Sequence, residues 1–186
     1  MSTLSRTVVQ FCLPLFAAVL LPGAALADKP RSSSPPSVPH AVVYSVFHGP
    51  VVLALAAPEL PSHRLGVLRV LPATAITDAT GAELGRLDAQ LVTSTIDYPT
   101  AGDEVRMSVL VFSFGQGTGS LSGLADQLVV SGSGFYAGSQ DTVSAGTTLV
   151  RPITGGTGRF AGARGWADSE HLGDDSWRHT FHFLKD

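Results

Sequence analysis

The sequence predicts an all-β protein that forms a single closed antiparallel barrel of about eight strands. From residue 40 onward, short apolar or alternating runs are separated by Gly, Pro, Asp and Ser, and stretches with a helical period are few. Closing these runs into a barrel removes the exposed sheet edges that a secreted protein must protect. The region from His40 to Asp186 is long enough for one sizeable core and too short for two.

The first 27 residues have the pattern of a secretory signal peptide. Arg6 lies in a short polar region, an apolar run covers residues 8–21, and small residues precede the cleavage that we expect after Ala27. A membrane anchor is the alternative, but it needs about 20 uninterrupted apolar residues, and Gln10 and Pro14 interrupt this run. We therefore expect a secreted or periplasmic protein that has no membrane contact after cleavage of the signal peptide 1–27.

Residues 28–39 are rich in Ser and Pro and are expected to form a flexible linker ahead of the barrel domain, residues 40–186. Cys12 lies in the predicted signal peptide, so the mature chain would have no disulfide and no thiolate metal site. The chain has 12 Lys and Arg against 15 Asp and Glu, a net charge of -3. Without a basic excess, we expect no nucleic-acid partner.

The candidate strands share a short apolar or alternating pattern bounded by turn-forming residues. In chain order they are His40–Phe47, Val51–Ala56, Leu65–Leu71, Gly85–Thr95, Glu104–Phe114, Gly119–Leu121, Leu128–Gly132, Gly146–Ile153, Arg159–Ser169 and Ser176–Leu184.

The strand Glu104–Phe114 carries apolar groups on both faces. Met107 belongs to one face and Phe112 to the other, because successive side chains of a strand point in opposite directions. One face is expected to line the lumen and the other to be covered by a neighbouring element or a second subunit.

The next-to-last candidate strand separates small residues on one side from charged and aromatic residues on the other. Arg164, Trp166, Asp168 and Glu170 share the second side. This set forms either a solvated surface or a polar-lined pocket, and a buried cluster of charges would have to be paired.

The last strand alternates most clearly, with Trp177, His179 and Phe181 on one face. His182 falls on the opposite face from His179, so the two histidines do not form a metal pair. The preceding residues 173–176 have the composition of a tight hairpin turn, and the two acids there are interpreted as solvated turn residues and not as a calcium site.

Two glycine-containing motifs are interpreted as non-catalytic, and the first of them, residues 155–162, is predicted to form a β-turn that leads into a strand. Residues 155–162 do not have the glycine spacing of a nucleotide-binding loop, and no helical pattern follows them. The Ser between Gly132 and Gly134 lacks the strand–helix surroundings of a hydrolase nucleophile.

The last third of the chain resembles the allene oxide cyclase and dirigent family of closed β-barrels. The residues that carry the resemblance are Gly-Gly-Thr-Gly-Arg-Phe-Ala-Gly-Ala-Arg-Gly at 155–165, which are similar to a dirigent glycine, Phe and Ala-Arg-Gly run. The strand 105–114 with the hairpin 117–121, and the closing aromatic strand 177–184, agree with that pattern. Leu71, Pro72 and Thr74 are similar to a stretch of plant allene oxide cyclases, and the whole resemblance spans roughly residues 65–184.

This resemblance implies a lumen that holds an apolar small molecule and steers its cyclisation or isomerisation without a cofactor or a metal, in a homo-oligomer. The plant cyclase site uses a first-strand Glu and Asn residues, and this chain contains no Asn. Only Arg164 matches a family site by position. The alternative is a non-catalytic binding or carrier barrel of the lipocalin type.

The candidate site residues follow from these patterns. The catalytic candidates are Arg164, Asp168, Glu170 and His179, and the candidates for substrate binding are Pro72, Met107, Trp166, Trp177 and Phe181.

Overall fold

The computed structural model describes residues 42–50, 54–58, 61–115 and 126–184. They fall within one compact unit, Ser37–Asp186. The predicted signal peptide, the predicted linker and the predicted strand 119–121 lie outside the described residues. No helix in the described ranges is long and apolar enough to cross a lipid bilayer.

The described residues form nine strands that alternate in direction along one sheet. These are β1 (Val42–His48), β2 (Ala54–Leu55), β3 (Leu68–Thr77), β4 (Glu83–Ile96), β5 (Glu104–Phe114), β6 (Asp126–Tyr136), β7 (Thr148–Gly156), β8 (Gly165–Gly173) and β9 (Ser176–Phe183).

Eight of the strands close into a barrel, as the sequence predicts, because β1 pairs with two partners. It pairs with β9 along its whole length, from Val42↔Phe183 to His48↔Trp177. Its other edge pairs with β3 at Phe47↔Thr77. The short strand β2 lies outside the ring and pairs with the beginning of β3 at Ala54↔Val70.

Several strand boundaries differ from the prediction; β6, for example, continues to Tyr136, beyond the predicted end at Gly132. The third strand continues beyond Leu71 through an irregularity between Leu71 and Thr74, where the proline of the sequence interrupts regular pairing. The strand predicted from Arg159 begins only at Gly165, because residues 158–160 form a short 3-10 turn. Gly165 has a φ of 142°, and a Cβ there would lie 1.8 Å from the His182 carbonyl oxygen, so only glycine fits this entry into β8.

The hairpin between β8 and β9 confirms the predicted tight turn. Asp174 and Asp175 are its two central residues, and both have positive φ values, 48° and 56°. This conformation matches the twist of antiparallel strands. It fixes which side chains of β9 point inward.

One half of the barrel interior is filled by large apolar side chains. We call this cluster the packed half; its buried members are Val46, Leu71, Ile76, Leu87, Ala89, Leu110, Phe112, Phe114, Leu128, Val130, Ile153, Ala167 and Phe181. The Phe112 and Phe181 rings meet edge to face with their centroids 4.9 Å apart.

The other half, which we call the open half, has smaller inward side chains on β6. The inward positions of that strand read Leu128, Val130, Gly132 and Gly134 along its length, opposite Phe112, Leu110, Ser108 and Arg106 of β5. Since two successive inward positions carry no side chain, the interior is left partly unfilled at this level.

Candidate functional site

The open half contains a cavity of about 210 Å³. Its apolar wall consists of Leu91 and of four members of the packed half that border the open half, Leu71, Leu87, Ala89 and Leu110. Its polar lining consists of His48, Tyr136, Asp141, Thr142, Arg151, Ser169, Asp175, Trp177 and His179. A mostly apolar pocket with a few polar groups is the usual form of a small-molecule site.

Arg151 of β7 crosses the space that the two glycines of β6 leave. A Cβ on Gly134 would lie 3.0 Å from the Arg151 Nη2 atom, and a Cβ on Gly132 would lie 3.3 Å from its Cγ. The Arg151 residue is only 3% exposed, and its Nε has no hydrogen-bond partner within the described ranges. Burial lowers the pKa of Arg151, and interaction with Tyr136 partly offsets this effect.

Two histidines stack at the floor of the cavity. The rings of His48 and His179 lie 5.2 Å apart and are nearly parallel, and the Phe112 ring meets His179 edge to face at 4.9 Å. The Nδ1 of His48 donates to the Gly49 carbonyl at 2.8 Å, and the Nδ1 of His179 shares a hydrogen bond of 2.9 Å with the Ser169 hydroxyl.

Burial disfavours the charged form of both histidine rings. Burial lowers the pKa of His48, and it lowers the pKa of His179 well below the ordinary histidine value, with smaller contributions from His48 and Arg151. The buried Nε2 of His179 has no hydrogen-bond partner among the described residues. A neutral imidazole of this kind can accept or donate a hydrogen bond to a molecule in the cavity.

A cluster of paired charges lies at the end of the open half, around the fully buried carboxylate of Glu104. Its Oε2 accepts a 2.7 Å hydrogen bond from the Arg106 Nε, and the Arg69 Nη2 lies 3.6 Å away. The Oε1 accepts a 2.9 Å bond from the Nδ1 of His63, whose Nε2 lies 3.2 Å from Asp97. Since carboxylates only accept, His63 donates from both nitrogens and is protonated in this arrangement.

This cluster also fixes the mouth of the cavity. The Arg106 guanidinium donates to the backbone carbonyls of Gln140 and Asp141 in the β6–β7 loop. It also lies over the Tyr136 ring, 4.1 Å from the ring centroid. Arg106 therefore positions both the loop and the aromatic ring that borders Arg151.

Three of the four predicted catalytic residues do not reach the cavity. Asp168 and Glu170 have the opposite parity to Ala167 and Ser169, which point inward, so their side chains lie on the outer face of β8. Asp168 pairs there with His182 at 2.9 Å, and Glu170 pairs with Arg178. Arg164 precedes β8 and is exposed. The solvated-surface alternative of the sequence analysis is thus the one that the structure shows, whereas His179 does line the cavity.

The predicted binding residues divide in the same way. Trp177 lines the cavity, and Phe181 points inward but belongs to the packed half below it. Pro72 is exposed, Met107 is 59% exposed, and Trp166 stacks on His182 on the outer face. Met107 and Trp166 point outward because strand parity places their inward neighbours in the core, and Pro72 lies in the irregularity of β3.

Arg151, His48 and Tyr136 were missed by the sequence analysis. Arg151 alternates with Leu149 and Ile153, and a run of inward apolar residues containing one Arg is the signal that marks it. The alternate glycines 132 and 134 are the second signal, because they predict missing volume on one face of a strand. His48 lies one residue beyond the predicted first strand, so its face was not assigned.

No group of three or more His, Cys, Asp or Glu residues in the described ranges is arranged to hold a metal ion. No protein-family profile and no curated protein sequence matches the chain.

The fold, in contrast, is shared with solved structures. A pyocyanin demethylase is 12% identical, with a TM-score of 0.57 over 77% of this chain and 100% of that chain. An exo-specific intermolecular Diels-Alderase is 13% identical, with a TM-score of 0.51 over 76% of this chain and 98% of that chain. A pterocarpan synthase dirigent protein is 16% identical, with a TM-score of 0.50 over 87% of this chain and 100% of that chain.

At these identities the likeness is one of fold alone, and the three proteins carry out different chemistry on it. Together with the closure of β1 on both β9 and β3, it shows that the chain has a closed antiparallel barrel fold like that of the dirigent protein and the Diels-Alderase.

Proposed function

We propose that the protein binds an apolar small molecule in the barrel cavity and steers its cyclisation or isomerisation without a cofactor. The observation that carries this proposal is the cavity itself, about 210 Å³ with a wall of aliphatic side chains. An engineered cavity of about 150 Å³ holds a benzene ring, so a ring with substituents is of suitable size here. The likeness to a dirigent protein and to a Diels-Alderase supports a ligand-steering role.

The lining suggests how such a reaction would be assisted. The aliphatic wall would restrict the conformations of the ligand and bring its reacting atoms together. Arg151 would stabilise negative charge that develops on a ligand oxygen, and the neutral His179 would exchange a proton through its Nε2. An intramolecular rearrangement conserves the atoms and electrons of the ligand, so it needs no further reactant.

A pair of substitutions on β4 tests whether the cavity holds the ligand. Ala89→Trp fills the cavity, because Ala89 lines it, whereas Gln90→Trp places the same ring on the exposed face one residue away. The wild-type chain and both variants are purified from the native host and examined by native mass spectrometry for a co-purifying small molecule. We expect the molecule with the wild type and with Gln90→Trp, and its loss with Ala89→Trp.

The same experiment separates catalysis from carriage. If a precursor of the bound molecule is added to the wild-type protein and is released with changed covalent bonds, the result supports the cyclase or isomerase function. A molecule that is bound and released unchanged supports the carrier alternative. Equal amounts of ligand on Ala89→Trp and Gln90→Trp would contradict binding in the cavity.

Export and assembly are proposals that accompany this function. We propose that the chain is secreted or periplasmic and is cleaved after Ala27, which the intact mass of the protein recovered outside the cytoplasm tests. We also propose a homo-oligomer formed through the outer face, where the exposed Met107 lies opposite Val92 on the neighbouring strand. Met107→Lys is expected to shift the protein to the monomer in size-exclusion chromatography with light scattering.

A further inference from the structure

Arg151 is a buried cation without an anionic partner among the described residues. The groups that face it from the neighbouring strands are the two glycines and Tyr136 of β6 and Ala167 of β8, its register partner. None of these is a carboxylate. Arginine stays protonated in proteins, so this positive charge cannot be removed by titration.

Two other buried arginines of the barrel, in contrast, have a carboxylate beside them. Arg69 and Arg106 both lie beside the buried Glu104, and they also donate to Thr93 and to backbone carbonyls. Arg151 has no carboxylate of this kind beside it among the described residues. Burying a charge without such a partner is costly, so its retention needs a separate explanation.

The two acids that border the cavity are engaged elsewhere. Asp141 is 81% exposed at the mouth, and its Oδ1 lies 3.9 Å from the Arg69 Nε. Asp175 is 55% exposed in the β8–β9 turn, and its Oδ1 lies 3.9 Å from the His171 Nε2. Both side chains are mostly exposed, and no ion pair joins either carboxylate to Arg151 in the described part of the chain.

The arrangement is that of a site built for an incoming anion. A guanidinium in a poorly solvated space pairs most strongly with a carboxylate or a similar oxyanion. The Nε2 of His179, which has no hydrogen-bond partner in the described ranges, shares the cavity with Arg151 and offers a second polar contact. The remaining wall is aliphatic and suits the apolar body of the same molecule.

We propose that the natural occupant of the cavity is an organic acid, an apolar molecule with one anionic oxygen group that pairs with Arg151. This inference rests on the proposed function, because it specifies the chemical class of the molecule that the cavity binds. The proposal assigns Arg151 to ligand binding. Packing alongside the Leu149 and Ile153 side chains does not by itself require an arginine at this position.

Binding of two matched probes tests the proposal. Cinnamate and cinnamamide have the same ring and arm, but only cinnamate carries an anionic group at neutral pH. We expect isothermal titration calorimetry on the full chain to give cinnamate the lower Kd, by at least about tenfold, as is typical when a charged hydrogen-bond partner is added. We expect Arg151→Met to lose this preference while it keeps the affinity for cinnamamide.

Control variants separate a binding role from a structural one. Arg178→Gln removes an arginine that pairs with Glu170 on the outer face, and it should leave the preference unchanged. Arg151→Lys keeps a cation and should retain part of the preference. If Arg151→Met does not fold, the comparison of the two probes on the wild-type protein still tests the organic-acid class of the ligand, and Arg151→Lys tests the contribution of the guanidinium.

The outcomes distinguish this inference from the function on which it rests. Equal affinities of the wild-type protein for cinnamate and cinnamamide would overturn the organic-acid inference and leave apolar binding in place. Failure of both probes to bind would contradict the apolar-ligand function as well. A preference for cinnamate that survives in Arg151→Met would show that another group holds the anion.

Discussion

The packed half and the open half of the barrel are built on the same strands but differ in what fills them. On β6 the inward side chains change from Leu128 and Val130 to Gly132 and Gly134, whereas the pairing with β5 continues in unbroken register. Small side chains at alternate positions therefore contribute to the cavity. The other edge of β6 also differs there, because its pairing with β7 is irregular between Val129 and Val130 and does not continue to the glycines.

The two halves also differ in how they treat polar groups. The packed half consists of apolar side chains, with aromatic pairs such as Phe112 and Phe181. The open half contains a paired charge cluster around Glu104, and it contains Arg151, which has no carboxylate partner among the described residues. Stability should therefore depend on packing in one half and on charge balance in the other.

The largest expected effect is the loss of charge balance in the open half. Glu104→Gln leaves Arg69 and Arg106 buried without their shared carboxylate. We expect a loss of about 3–5 kcal/mol in the free energy of unfolding, measured by urea denaturation. The matched control is Asp88→Asn, which breaks an exposed pair with Arg86 and should cost less than about 1 kcal/mol.

An identical truncation in each half should give a smaller but direct contrast. Leu128→Ala removes a side chain that is packed on all sides, whereas Leu91→Ala enlarges a cavity that already exists. Of the usual range of about 2–5 kcal/mol for such changes, we expect the upper end for Leu128→Ala and the lower end for Leu91→Ala. Equal losses in urea denaturation would contradict the division of the interior into two halves.

Adding one methyl group to the inward face of β6 should fill part of the space in the open half. In Gly134→Ala the new Cβ would lie 3.0 Å from the Arg151 Nη2 and 3.1 Å from a Tyr136 ring carbon. We expect a loss of about 1–3 kcal/mol and weaker ligand binding, because Arg151 must move. Ser133→Ala on the exposed face is the control and should change neither the unfolding free energy nor the affinity.

The smallest effect is a pH dependence with opposite signs at two histidines. Hydrogen bonds to Glu104 and then Asp97 raise the pKa of His63, so its contribution to stability is complete below pH of about 6.5 and is lost as the pH rises through the raised pKa. Burial lowers the pKa of His179, so its contribution to stability is complete above the ordinary histidine pKa of about 6.5. This contribution is lost as the pH falls from that value through the lowered pKa.

NMR titration of the imidazole signals measures both pKa values, and His63→Gln should remove the loss of stability on the alkaline side. A His179 signal that titrates like that of an exposed histidine would contradict its placement at the buried floor of the cavity.

The sequence predicted the barrel better than it predicted the site. The alternation in β9 placed His179 and Trp177 on one face, and the turn at Asp174 and Asp175 held that face in register. The alternation of side chains along β8 separates two faces but does not identify which face points into the lumen. Either face of a barrel strand can be buried, because another element or subunit can cover the outer one. The sequence analysis missed Arg151 because an arginine in a strand is normally expected to point towards solvent. The neighbouring glycines of β6 make room for its side chain inside the barrel.

The pairing of β1 with β9 has a consequence for how the chain folds. Ser45 and Thr180 share a hydrogen bond although 135 positions separate them, whereas β3 to β6 pair with their immediate neighbours in sequence. Contacts between such distant segments require a large loss of chain entropy, so they slow folding. We expect the β3–β6 meander to form first. The pairing of β1 with β9, which closes the ring, is expected to form last.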